Sequence, residues 1–161
     1  ASKFNKVDIL GYSMGGAVAI RAAAELENVE RLVVVASPCN AEMFSWDVLR
    51  MIYENARLKG TLKGVGDFEN FVAKFKSEFI EIEPEKWISK VNCDKLIVHG
   101  TNDEIVPFYH GSKLFELSSK PKTFVKVLNG SHFLRQEEKV SQIIVDWLSG
   151  KIKEEVIEIR I

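Results

Sequence analysis

Ile9-Leu10-Gly11-Tyr12-Ser13-Met14-Gly15-Gly16 is the stretch on which the reading of this chain turns. An apolar run, Val7 to Leu10, leads into Gly-x-Ser-x-Gly, and a nearly all-apolar segment from Ala17 to Leu26 follows. That order spells strand, sharp turn and buried helix. Ser13 is expected at the tip of the turn, in a strained backbone conformation, with its hydroxyl projecting from the carboxyl end of a sheet. Gly11 and Gly15 lack a Cβ, so strand and helix are expected to pass close to the serine at both. A helix N-terminus offers unpaired N–H groups and a partial positive charge. The Met14 N–H is thereby placed to stabilise an oxyanion formed when Ser13 attacks a carbonyl. The bland alternative is a tight structural turn; the strand before and the helix after favour a nucleophile.

Outward from this turn the chain alternates strands and helices. Arg31 to Ala36 is a continuous β-branched apolar run, the pattern of a strand buried on both faces of a parallel sheet. Asp94–Gly100 and Thr123–Leu128 read as two further strands, and Ile157–Ile161 alternates like a strand. The residues from Pro84 to Val91 read as a short helix. A second helix runs from Pro107 to about Leu117, and Val140, Ile143, Ile144, Trp147 and Leu148 mark a last one that Gly150 stops. The expected fold class is α/β, a parallel sheet in a three-layer sandwich.

Between the second and third strands lies a long interlude, Cys39 to Glu83. Met43, Phe44, Trp46, Val48, Leu49, Met51, Ile52 and Tyr53 suggest one amphipathic helix. Phe68, Phe71, Val72, Phe75 and Phe79 mark another, with Asp67 as its N-cap and Gly60, Gly64 and Gly66 between the two. This segment is read as a lid hinged near those glycines, rather than as a plain helical layer. Glu69, Glu78, Glu81 and Glu83 are read as a solvated face.

A serine hydroxyl needs a base, and the chain holds only three histidines, His99, His110 and His132. Gly130-Ser131-His132 follows the fourth strand, and Gly100-Thr101-Asn102-Asp103 follows the third. Both loops leave the same carboxyl edge as Ser13, the edge at which open α/β sheets bind ligands. Asp103 competes with adjacent Glu104 for the acidic role. His99 is expected to hydrogen-bond locally, His110 to lie within a helix, and Cys39 to be a small buried residue at a strand end.

Ser13, Asp103 and His132 in that chain order, each just beyond a strand, resemble the α/β-hydrolase superfamily over nearly the whole chain. The resemblance implies Ser13 as nucleophile, His132 as general base and then acid, and Asp103 as the residue that orients His132. It implies a carboxylic ester hydrolase with a small-molecule ester substrate and no metal or organic cofactor. Met43, Phe44, Trp46 and Phe133 are expected to line an apolar substrate site. The family's sheet has eight strands and its elbow follows the fifth. The half that normally comes first, with the loop that donates the second oxyanion N–H, has no counterpart after Ala1. The expectation is one partial α/β-hydrolase domain over residues 1–161 with a helical insertion over 39–83. It would be the C-terminal part of a longer protein, or a truncated form that, standing alone, is a dimer or higher oligomer and hydrolyses esters weakly or not at all. From another class comes a non-catalytic module that keeps the triad residues and serves assembly or binding.

The bulk numbers narrow the choices. The 161 residues are 46% hydrophobic and 28% charged, with a net charge of −1. That charge argues against nucleic-acid and polybasic membrane partners, and no apolar run has the length to span a bilayer. Cys39 and Cys93 do not make a disulfide framework and are expected reduced, in a cytoplasmic protein. No Cys/His cluster has zinc spacing.

Overall fold

The computed structural model describes residues 4–161. Among the described residues ten strands and α-helices follow one another: β1 (Val7–Tyr12), α1 (Met14–Glu25), β2 (Val29–Val35), α2 (Trp46–Leu58), α3 (Phe68–Ile82), β3 (Asp94–Gly100), α4 (Tyr109–Leu117), β4 (Lys122–Leu128), α5 (Glu138–Leu148) and β5 (Val156–Arg160). The five strands form one sheet in sequence order, and every neighbouring pair is parallel. All strands therefore deliver their following loops to one edge.

The period-2 pattern of the buried strands sorts the two faces. Leu32 and Val34 of β2, Ile97 of β3 and Phe124 of β4 face α1 and α4. Val33 and Val35, Leu96 and Val98, and Val125 and Val127 face α5 with Trp147 and Val140. Helix α1 lies close to the sheet because Gly16, Ala19 and Ala23 keep its sheet-facing side shallow. The tail strand β5 joins this chain's own sheet beside β4, with Ile157, Ile159 and Ile161 on the α5 face. Because α4 and α5 lie on opposite faces, the β4–α5–β5 crossover has the opposite hand to β3–α4–β4. Such crossovers are overwhelmingly of one hand, so β5 is an unusual addition. Gly150, at φ 72°, turns the chain out of α5 toward it. At the other edge, β1 leaves Leu10 more than half exposed.

Helices α2 and α3 pack on each other as a separate aromatic layer. Phe44 meets Phe75 and Phe79 edge-on, and Phe68 sits against Trp46 and Tyr53. Caps define both starts: Ser45 Oγ accepts from the Val48 N–H at 3.3 Å, and Asp67 Oδ1 from the Asn70 N–H at 2.9 Å. The glycines lie between these two helices, not at the base of the segment. The base is stitched instead. The Ala41 N–H reaches Glu83 Oε1 at 3.0 Å, Asn40 Nδ2 reaches Glu85 Oε2 at 3.2 Å, and the Glu85 N–H reaches the Cys39 carbonyl at 2.9 Å. Glu83 is thus buried and hydrogen-bonded rather than part of a solvated face; Glu69, Glu78 and Glu81 are exposed.

The helix expected over Pro84–Val91 is two 3-10 turns, Pro84–Lys86 and Ile88–Lys90. Pro84, Ile88 and Val91 are all buried. Tertiary packing of these anchors over so few residues replaces the last turns of an α-helix with tighter ones. Among the described residues no helix is long and apolar enough to cross a membrane.

Candidate active site

The turn between β1 and α1 is a true elbow. Ser13 has φ 53° and ψ −126°, a region that a residue with a Cβ occupies only under constraint. The constraint is visible: its N–H is held by the Val35 carbonyl at 2.9 Å, and its own carbonyl takes the Gly16 N–H at 2.9 Å. A Cβ at Gly11 would lie 2.4 Å from the Gly15 carbonyl oxygen and 2.6 Å from the Gly16 Cα. Gly15 itself has nothing within 4 Å of such a Cβ. The second close approach is at Gly16, where a Cβ would lie 2.5 Å from Ser37. The crossing of β1 and α1 therefore depends on Gly11, and the seating of α1 against the end of β2 on Gly16; neither depends on Gly15. Met14 opens α1, so its N–H has no carbonyl one turn back within the helix.

Two loops converge on the serine. Asp103 follows β3 and is buried; its Oδ1 accepts the N–H groups of Ile105 at 3.0 Å and Val106 at 2.7 Å. Its Oδ2 lies 2.9 Å from His132 Nδ1. His132 Nε2 lies 3.1 Å from Ser13 Oγ. The ring is thus bridged between a carboxylate and the serine hydroxyl across 119 residues of sequence. Glu104, the competing acid, is exposed.

The acid and histidine loops are bonded to each other. The Asn102 N–H reaches the Gly130 carbonyl at 3.0 Å, and the Asn129 N–H reaches Thr101 Oγ1 at 2.9 Å. Asn129 has φ 63°, which Asn tolerates better than most residues. Tyr12, immediately before Ser13, donates its hydroxyl to the His132 carbonyl, and the two rings lie 5.2 Å apart. Nothing in sequence spacing connects Tyr12 to His132, so this support is legible only in three dimensions.

Burial alone would raise the Asp103 pKa. Hydrogen bonds from His132 and the Val106 N–H, and the nearby His132 and His99, outweigh it, and the net shift is downward. A depressed carboxylate stabilises the fold above the ordinary carboxylate pKa, near 4. That contribution is lost as pH falls through the lower folded value. The urea midpoint of the parent should therefore exceed that of Asp103→Asn by a margin that shrinks on acidification below pH ~4. A margin constant from neutral pH to pH ~3 would contradict this assignment.

The other expected site residues divide. Phe133 is 44% exposed, with its ring edge-on to His132 at 5.9 Å. Met14 and Met43 are half-buried and pack on the same aromatic cluster, which also includes Ala17 of α1. The α2–α3 layer therefore covers the first turn of α1. Phe44 is not a lining residue: it is 6% exposed inside that cluster, because its ring fills the gap between Phe75 and Phe79. Trp46 is 56% exposed and packs on Phe68, the two residues that open α2 and α3.

Cys39 is buried, and burial pushes its thiol up to about 12, far from a reactive thiolate. Its Sγ lies 3.0 Å from His110 Nδ1, which also accepts the Cys39 N–H at 3.2 Å. This pair ties the chain leaving β2 to α4. Among the described residues no three His, Cys, Asp or Glu side chains gather into a metal-holding group.

No protein-family model matches the chain. The human protein serine hydrolase BPHL is 30% identical over 131 residues, 68% of this chain and 43% of that protein. An esterase domain of a Rhodothermus marinus protein superposes with a TM-score of 0.63 at 19% identity, covering 89% of this chain and 59% of the other. A Paleococcus ferrophilus monoacylglycerol lipase gives 0.64 at 19% identity, covering 91% and 69%. The chain spans less than half the length of the curated relatives it matches.

Proposed function

Because the chain belongs to the α/β-hydrolase superfamily, we propose that it carries the nucleophile, base and acid of a serine hydrolase that cleaves carboxylic esters. His132 carries this reading, with Nε2 at 3.1 Å from Ser13 Oγ and Nδ1 at 2.9 Å from Asp103. In the proposed reaction Ser13 Oγ attacks the ester carbonyl while His132 Nε2 takes its proton. Asp103 holds the ring in the tautomer that leaves Nε2 free, and stabilises the imidazolium. The developing oxyanion faces the Met14 N–H at the start of α1. The C–O bond to the leaving alcohol breaks as His132 returns the proton to that oxygen, and the acyl group stays on Ser13. A water then gives its proton to His132 and attacks the acyl carbonyl. Collapse of that second intermediate releases the acid and restores the Ser13 hydroxyl. Phe133, Met14 and Met43 give the approach an apolar character, in keeping with an apolar acyl group.

Incubation with p-nitrophenyl esters of increasing acyl length tests the proposal. An acyl adduct at Ser13, seen by peptide mass, is the expected result. An unmodified Ser13 throughout would favour a non-catalytic module.

The α2–α3 segment is the proposed lid. Its contacts with Met14 and Ala17 support a position over the elbow. Its base is pinned, so motion belongs to α2, where only Leu49 is buried, and to the loop with Gly60, Gly64 and Gly66. Backbone amides of α2 should exchange faster than those of β2 and β3. Slower exchange in α2 than in β3 would remove the lid.

A further inference from the structure

We propose that His99 is a positioning residue for the triad, holding through its Nε2–H the loop that presents Asp103 to His132. The inference rests on the triad reading above and assigns a task to a histidine that reading leaves unused.

His99 is the penultimate residue of β3 and is completely buried. Its Nε2 lies 2.8 Å from the Val106 carbonyl. A carbonyl only accepts, so Nε2 bears the proton and Nδ1 holds a lone pair. That Nδ1 is buried and has no hydrogen-bond partner among the described residues. An orphaned buried acceptor is destabilising, and a hydrocarbon side chain would fill the same space without it. The N–H on the other side of the ring gives the imidazole its purpose. Val106 accepts from His99 at its carbonyl and donates its own N–H to Asp103 Oδ1 at 2.7 Å. One chain of hydrogen bonds thus runs from His99 through Val106 to the carboxylate, each bond polarising the next. The same Nε2 lies 3.5 Å from Asp103 Oδ2, the oxygen nearer His132 Nδ1. The N–H end of the ring thus lies beside the carboxylate as well as on the Val106 carbonyl.

The ring is also fixed in place. It lies edge-on to Phe108 at 6.1 Å. A Cβ at Gly111 would fall 2.5 Å from His99 Nδ1 and 2.6 Å from its Cβ and Cγ, so α4 lies against the ring only because residue 111 is glycine. Burial lowers the His99 pKa, which keeps the ring neutral. It acts as a fixed dipole, not as a second base.

The test reads the bond that His99 is proposed to support. The downfield proton resonance of His132 Nδ1–H is followed in the parent, His99→Phe, His99→Gln and Gly111→Ala, identified by its loss in His132→Ala. Ser13 labelling by a fluorophosphonate is measured alongside. His99→Phe keeps a ring without the N–H. It should move or broaden the resonance and slow labelling about tenfold, the loss of one supporting hydrogen bond. His99→Gln, which restores an N–H, should recover most of both. Gly111→Ala, which pushes on the ring, should shift the resonance in the same sense. If His99→Phe does not fold, His99→Gln and Gly111→Ala carry the comparison. A folded His99→Phe with the parent's resonance and labelling rate would overturn the proposal. So would a fall in melting temperature alone, with the folded protein unchanged in both readouts. If the parent's Ser13 is not labelled, the hydrolase reading fails while the resonance still decides the role of His99.

Discussion

Replacing Ser13, His132 or Asp103 by Ala is expected to cut p-nitrophenyl ester hydrolysis by on the order of 10³-fold or more, with the fold retained. The three side chains form one chain of contacts: Ser13 to His132 at 3.1 Å, and His132 to Asp103 at 2.9 Å. Residues that act as a unit fail together, so double replacements should cost little beyond the worst single one. Without Asp103 the imidazole loses both its orientation and its counter-charge. Glu104→Ala is the control, because that carboxylate is exposed. Kinetics of the four variants check the assignment; greater damage in Glu104→Ala than in Asp103→Ala would mean the acid is misassigned.

Gly100→Ala should produce the second large effect without touching a reacting group. A Cβ there would lie 2.2 Å from the Gly130 carbonyl oxygen and 2.6 Å from its carbon. Both contacts are backbone, so nothing flexible can yield. The Asp103 and His132 loops must then separate, and the Asn102–Gly130 hydrogen bond of 3.0 Å goes with them. A displacement of about 1 Å at a reacting pair can cost ~10²-fold in rate, and forced overpacking costs about 1–3 kcal/mol of stability. Labelling of Ser13 and a urea melt measure the two losses together. Gly15→Ala, with open space at its Cβ, should change neither. Equal behaviour of the two alanine variants would contradict this account of how the loops are held.

The elements that sequence revealed were those whose own residues dictate them. Arg31 to Ala36 is β-branched and apolar, so β2 had to be buried. The Phe68–Phe79 spacing could only be one helix face, and Asp67 does cap it. The elbow was legible because a strand, a small-residue turn and an apolar helix are contiguous. The site's supports were not legible, because each depends on residues far apart. Tyr12 and His132 are 120 positions apart, and Gly100 matters only because Gly130 lies against it. His99 announced nothing beyond a polar residue at a strand end. Phe44 and Trp46 could not be told from lining residues, since an aromatic helix face looks the same whether it turns inward, outward or onto its partner. The twin turns after Pro84 failed as a helix because three buried anchors outweighed local propensity.

Ser13 is held to be a nucleophile activated by His132, and covalent labelling measures that directly. The chain is treated with a fluorophosphonate and digested, and the modified peptide is identified by mass. The parent should carry the adduct on Ser13, Ser13→Ala should carry none, and His132→Ala should label on the order of 10³-fold more slowly. An unlabelled Ser13, or labelling equally fast without His132, would contradict the account.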